Sequence, residues 1–311
     1  MKKMRNLIFV ILVCFIAVVT IAEKSQAVTE IVSVDVGGAK VAFPNVEGLT
    51  NEVLNNANMK DFFETFVGKE ATLLSVYIKD SDLKIWLTGI SPLFQEYIFI
   101  QVINEYADSE FTTKDIDSLK DSINKDNFTF SEVFKSDDFK NTVGDLESGM
   151  SKKFDSNFDM KINEVKSLGI VGEGDNYISI GTLSNTQIDA GGVAVDVKQV
   201  MTVSYIRASD RFILLTIYRT YQDKEDITSG ISRCNTVSEL IVQSNPSSIV
   251  ESIAGSEVEP EQGRFAGDTP AQKNGKTAIR WLFKGVFGVL GLILLFGLWT
   301  MLKLIVKKFK K

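Results

Sequence analysis

Two short runs of the chain repeat the same residue types at a constant offset. Tyr106, Asp108, Glu110, Thr113 and Ile116 recur 115 positions later as Tyr221, Asp223, Glu225, Thr228 and Ile231. A phenol with two alternate carboxylates offers oxygen ligands to a hard cation. That makes Tyr106, Asp108, Glu110, Tyr221, Asp223 and Glu225 the candidate site residues. The same types also serve helix starts, because carboxylates favour the first turn and Thr favours the cap. Each run follows a strand pattern and precedes a helix pattern, so capping accounts for every position without a ligand.

Other chemistry is poorly supplied. The chain has no His, which excludes Ser-His-Asp and Cys-His nucleophile systems, imidazole metal ligands and an imidazole pH switch. Two Cys exclude a disulfide framework and a Cys-rich zinc site. Ser81–Lys84 and Ser122–Lys125 match a serine–lysine spacing but lack its companion motifs. Asp155, Asn157 and Asp159 open like a calcium loop, yet Met160 stands where the turn needs Gly and Lys166 where a bidentate Glu is needed. Gly37-Gly38, Gly172/Gly174 and Gly191-Gly192 lack phosphate-loop spacing and read as turns. No motif calls for a cofactor.

The elements that would carry these residues begin after residue 27. Lys2, Lys3 and Arg5 precede an uncharged apolar run from Leu7 to Ala22, and Ser25-Gln-Ala27 supplies small residues for cleavage before Val28. This is the layout of a secretory signal peptide over residues 1–27; an uncleaved anchor is the alternative. Residues 281–305 read as a single transmembrane helix. Gly285 to Leu302 carries no charge, and Trp281 and Trp299 bracket it. At about 1.5 Å per residue they lie roughly 27 Å apart, near the hydrocarbon thickness, which suits membrane-interface anchors. A basic cytoplasmic tail fills 306–311. The expected site is the bacterial cytoplasmic (inner) membrane, single-pass, with the N-terminal domain outside the cytoplasm and lipid contacted by the C-terminal helix. Gly285, Gly288 and Gly291 form a small-residue ridge for helix packing, compatible with a homo-oligomer.

Residues 244–280 are rich in Pro, Ser, Gly and Glu and read as a flexible linker. That leaves one extracytoplasmic domain over 28–243. Residues 28–278 hold 23 basic against 39 acidic residues, net −16. This balance argues against nucleic acid and anionic lipid as partners of the domain. The pattern alternates strands and helices. Strands are expected at Ala71–Ile78 and Tyr97–Tyr106, and helices at Lys60–Val67, Thr112–Ile123 and Ser131–Phe154. Four closely connected strands follow over 162–221, and a closing helix over 227–242 carries Cys234, the one Cys beyond the signal. Short connections imply antiparallel pairing. KIWLTGISPLFQEY, with Trp86, reads as an apolar loop between two strands. Thr112 with Asp115 and Thr129 with Glu132 have capping-box spacing.

The fold class expected is α+β, an antiparallel sheet of six to eight strands covered by helices, with two related halves as an option. In element order, the VAFPNVEG segment and the strand–strand–helix ending resemble PsbP-like α/β/α sandwiches. The resemblance implies helices on both faces of the sheet and transfers no site residue. Three functions remain open: a membrane-anchored binding or assembly module of the bacterial envelope with an envelope protein partner, which is favoured; a carboxylate- or Ser/Lys-dependent hydrolase; and a ligand-sensing ectodomain coupled to membrane-helix association.

Overall fold

A computed structural model of the chain describes residues 32–67, 70–90, 92, 94–125, 137–154 and 157–246. The signal peptide, the linker beyond 246, the membrane span, the tail and the Thr129/Glu132 pair lie outside the described residues. Among the described residues no helix is long and apolar enough to cross a membrane.

Nine strands are described: β1 Val32–Val36, β2 Ala39–Phe43, β3 Leu49–Thr50, β4 Ala71–Lys79, β5 Glu96–Ile103, β6 Phe158–Gly174, β7 Tyr177–Ala190, β8 Val193–Ala208 and β9 Arg211–Thr220. Five helices accompany them: α1 Ala57–Glu64, α2 Asp80–Leu87, α3 Thr113–Lys125, α4 Asp137–Phe154 and α5 Lys224–Ser244. The strands β3-β4-β5-β9-β8-β7-β6 form one seven-stranded sheet, in that spatial order, and β1-β2 form a separate hairpin. Every adjacent pair in the seven-stranded sheet is antiparallel. The protein is therefore α+β with an antiparallel sheet, and the strand number falls within the range the sequence implied.

Alternation divides the sheet into two buried faces. On one, Tyr97, Phe99, Val203, Tyr205, Leu214 and Tyr218 pack with Met59 and Phe63 of α1, Ile116, Leu119 and Ile123 of α3 and Met150 of α4. On the other, Ile98, Ile100, Ile213, Leu215 and Ile217 meet Cys234, Val237 and Ile241 of α5 and the Val36, Val41 and Phe43 side chains of the hairpin. The eight residues of β5 are buried throughout because both faces are covered. Each large side chain so buried contributes about 1.5–3 kcal/mol of transfer free energy.

The β8–β9 connection is a two-residue turn in which Ser209 and Asp210 take φ of 49° and 58°. Two positive φ values match the twist of an antiparallel hairpin. At the opposite end of the sheet, β4 runs directly into α2. The apolar stretch read as a loop thus begins as a helix, with Asp80 in its first turn and Lys84 in its last, both favourable to the helix dipole. The first helix starts earlier than Lys60 because the Asn56 side chain accepts from the Met59 N–H at 3.1 Å and caps it. The strand expected to reach Tyr106 ends at Ile103, where a 3-10 turn takes over.

α5 spans 21 residues, about 30 Å, and separates the two ends of the domain. Its start adjoins Tyr221 at the α2 end. Its last turn meets Asn245 at the other end, where Asn245 is 4% exposed and exchanges hydrogen bonds with the Ala42 backbone at 2.6 and 2.7 Å. The helices that follow the two echoed runs, α3 and α5, cover opposite faces of the sheet.

Candidate functional site

The echoed residues do not converge. β5 and β9 are antiparallel neighbours, with Glu96 beside Arg219 and Gln101 beside Leu214. The run after β5 therefore lies at one end of this pair and the run after β9 at the other. Eight residues of strand at about 3.3 Å each separate them by roughly 26 Å.

At the first end, Asp108 and Glu110 are exposed and the cap falls to Asp115. Its carboxylate accepts from the Thr112 N–H at 2.8 Å and the Thr112 hydroxyl at 2.7 Å. Tyr106 is half-buried, and its phenol is pushed upward by burial and then by the neighbouring Glu105 and Glu70 carboxylates. The turn is fastened by two arginines. Arg207, 8% exposed, donates to the Phe111 carbonyl at 2.8 Å, the Thr113 hydroxyl at 3.1 Å, Asn176 Oδ1 at 3.0 Å and the Asp210 carboxylate at 2.5 Å. Arg211 donates to the Val36 and Gly37 carbonyls at 3.1 and 2.7 Å. Gly37, at φ +55°, sits against the Ala107 carbonyl, where a Cβ would collide.

At the second end, Asp223 is the N-cap of α5 and accepts from the Glu225 N–H at 2.8 Å. The Asp226 carboxylate accepts from the Gln222 and Asp223 N–H groups at 2.8 and 3.2 Å and from Arg219 Nε at 2.9 Å. Burial raises the Asp226 carboxyl. The backbone donors and Arg219 outweigh burial and hold it below the usual carboxylate range. Arg219 and Arg233 flank Glu96 at 3.4 and 3.7 Å. Tyr221 follows β9, its N–H bonded to the Lys198 carbonyl at 2.9 Å. Capping thus occupies Asp115, Asp223 and Asp226. Among the described residues no group of three or more acidic, His or Cys side chains is placed to hold a metal ion. Ser81 and Lys84 are both exposed on α2.

Two further features stand out, one without a motif in the sequence and one within the apolar KIWLTGISPLFQEY stretch. The first is a ladder of uncharged polar side chains on the face that carries Tyr97 and Tyr218. One register row runs Tyr97, Tyr218, Met201, Thr182, and the next runs Thr220, Gln199, Ser184. Thr186 follows beside Val197. Tyr218 and Thr186 are fully buried, and Thr182 is 1% and Ser184 6% exposed. The hydroxyls of Tyr218, Thr182, Ser184, Thr186 and Thr220 have no hydrogen-bond partner among the described residues. Tyr97 and Tyr218 stack at 4.7 Å, and the Tyr97 hydroxyl meets the Gln199 side chain. Burial holds both phenols well above the ordinary value, Tyr218 further raised by Tyr97, so both remain protonated donors. A buried donor without a partner costs about 1–3 kcal/mol. The ladder was present in the sequence as a phase: positions 178, 180, 182, 184, 186 and 188 read Ile, Ile, Thr, Ser, Thr, Ile. Period two put the Thr and Ser residues in phase with core isoleucines, but only the register shows what stands beside them.

The second feature is an apolar ridge at the α2 end. Ile85, Leu87 and Ile90 are 41, 61 and 49% exposed. Trp86 points the other way and packs on Phe62 at 4.8 Å and Phe94 at 6.3 Å. The Trp thus tucks against the core while its neighbours face solvent. On the opposite side of the sheet, Cys234 is buried, and burial pushes its thiol up despite the Thr202, Ser179 and Ser238 hydroxyls around it. It is a core residue.

No family model matches this chain, and no curated protein does either. Among solved structures, the Saccharomyces cerevisiae Ran-binding protein Mog1p matches at 14% identity, covering 70% of this chain and 93% of that chain, with a TM-score of 0.26. A point mutant of Mog1 gives the same values. A likeness at that score carries no argument about fold or function.

Proposed function

We propose that the protein is a membrane-anchored extracytoplasmic binding or assembly module of the bacterial cell envelope. In this reading the chain is exported by its N-terminal signal, and residues 244–280 tether the domain to a single membrane helix over 281–305. Trp281 and Trp299 sit at its two interfaces and Gly285, Gly288 and Gly291 offer a packing ridge. The finer fold reading, a PsbP-like plan of two related halves, belongs to the same proposal; helices on both faces of the sheet support its layering.

The observation that carries the reading is the position of the exposed Ile85, Leu87 and Ile90 ridge. It lies at the α2 end, about 30 Å along α5 from Asn245, at the start of the proposed tether. A tethered domain would then present its apolar ridge away from the anchor. Asp223 and Glu225 are exposed at the same end, so the partner that fits is an envelope protein with an apolar surface framed by basic side chains. Asp223 and Glu225 contribute charge to that rim, whereas Asp108 and Glu110 lie at the opposite end of the sheet.

Co-purification from membranes after crosslinking in intact cells tests this reading. The wild type should bring down one envelope protein in near-stoichiometric amount, and Leu87→Asp/Ile90→Asp should lose it while keeping the wild-type thermal transition. Recovery of the protein alone, with only internal crosslinks, would count against it.

A further inference from the structure

β6 is the outer strand of the seven-stranded sheet, and the molecule covers both of its ends. At the start, the Phe158 and Met160 N–H groups donate to α4, to Ser151 Oγ at 3.0 Å and Glu147 Oε1 at 2.7 Å. Towards the finish, the Val171 carbonyl accepts from Asn235 of α5 at 3.0 Å and the Gly174 carbonyl from Lys120 of α3 at 2.9 Å. Between them, nothing among the described residues pairs with the outer edge of residues 163–167. We propose that this stretch is the contact between two copies of the chain, joined antiparallel and edge to edge about a two-fold axis at Val165. It lies on the opposite edge of the sheet from β4 and α2 and does not require the docking reading.

The backbone sets the first condition. Val165 packs against the same core as Phe158 and Met160. In a strand, the face a side chain takes fixes the side to which its N–H and C=O point. The Phe158 and Met160 N–H groups leave β6 away from β7, so those of Val165 do too. At a two-fold through Val165, the two copies of that residue exchange N–H···O=C bonds.

Charge selects the axis. A two-fold contact is self-complementary, each residue meeting its mate twice. With Val165 opposite itself, Glu164 of each copy meets Lys166 of the other, and Asn163 meets Ser167. Glu164 and Lys166 are both exposed. Moving the axis one residue either way sets Glu164 against Glu164 or Lys166 against Lys166, and like charges directly opposite destabilise a sheet pair.

The bulges limit the contact. The β6–β7 register shifts between Ile162 and Glu164 and again between Ser167 and Gly169. Bulges bend an edge and end its pairing. They leave a regular window from Glu164 to Ser167 and turn the flanking strand aside, so a second copy clears α4. The other edge of the sheet, β3, is two residues long, so pairing closes at two copies instead of growing into a fibre.

The test uses the full chain in detergent. An edge this short should give a reversible dimer with a dissociation constant of roughly 10–100 µM. Light and heavy-isotope-labelled chains are mixed at about 100 µM and treated with a carbodiimide. It condenses a carboxylate with an amine to an amide and takes up the water as a urea. The expected product joins Glu164 of a light chain to Lys166 of a heavy one, and the reverse. Glu164→Lys and Lys166→Glu should each lower the dimer fraction in sedimentation velocity by about fivefold or more. Glu164→Lys/Lys166→Glu should restore it. All three should keep the wild-type thermal transition, because both positions are exposed. A wild type that stays monomeric at about 100 µM would overturn the proposal. So would a dimer that survives each single reversal and gives no mixed Glu164–Lys166 product, since its contact would then lie elsewhere.

Discussion

Replacing the ladder threonines by valine should stabilise the protein, which is the reverse of what a buried polar-to-apolar change does when the polar group is engaged. Thr182 is 1% exposed and Thr186 fully buried, and neither hydroxyl has a partner among the described residues. An unpartnered buried hydroxyl costs about 1–3 kcal/mol. Taking the lower figure for each, Thr182→Val/Thr186→Val should gain about 2 kcal/mol. A domain of this size moves by about 2–4 °C per kcal/mol, so its melting temperature should rise by roughly 4–8 °C. The matched control lies on the other face of β8. Ser204 is fully buried and bonded to Ser179 at 3.0 Å and Ser238 at 2.8 Å. Ser204→Ala strands both partners and should lose about 1–2 kcal/mol. Urea titration reads both variants, with an unchanged m-value showing that only stability has moved. A loss of 1 kcal/mol or more in the double valine variant would refute the reasoning, because it would mean the ladder is already satisfied in the free protein.

Three further outcomes follow from the fastened turns. Arg207→Met removes one partner of a buried ion pair and leaves Asp210, 7% exposed, uncompensated; denaturant titration should show a loss of about 3–5 kcal/mol. Asp226 has a folded pKa below its ordinary value, so its stabilisation is present above the unfolded carboxyl pKa and fades as pH falls through the depressed folded value. Asp226→Asn should therefore cost about 1–2 kcal/mol at neutral pH and narrow its gap from the wild type under acid conditions. A gap that widens on acidification would contradict the assigned cap. Gly37→Ala forces a Cβ into the Ala107 carbonyl at a positive φ and should destabilise by at least about 1 kcal/mol, as thermal unfolding would show.

Elements whose burial pattern is complete within a few residues could be read directly from the sequence. The Leu74–Ile78 and Tyr97–Ile103 runs of β4 and β5 are mostly apolar because both faces of the sheet are covered, and the 3.6-residue spacing of Cys234, Val237 and Ile241 marks α5. The capping spacing of Thr112 with Asp115 was also legible and holds in the structure. α2 was not legible. Its exposed Ile85 and Leu87 break the expected amphipathic pattern, so the segment resembled a loop. α1 was misplaced by three residues because its start is set by the Asn56 side-chain cap in a short Asn-Asn-Ala-Asn stretch that carries no apolar periodicity. The echo at offset 115 was real at the level of local structure, since each run ends a strand and precedes a helix. It could not show that antiparallel pairing sends the two runs to opposite ends of the sheet. The hydroxyl ladder was visible only as a phase within β7, because its other members come from β5, β8 and β9, which meet it through register alone.

The claim that the α2 end is a docking surface is tested most directly by placing a photo-crosslinking side chain at Leu87 and, separately, at Lys40. Both positions are exposed, and they lie at opposite ends of the domain. Irradiation of intact cells should give one discrete heavier species from the Leu87 position, containing an envelope protein, and none from the Lys40 position. Equal adducts at both positions, or none at Leu87, would contradict the account.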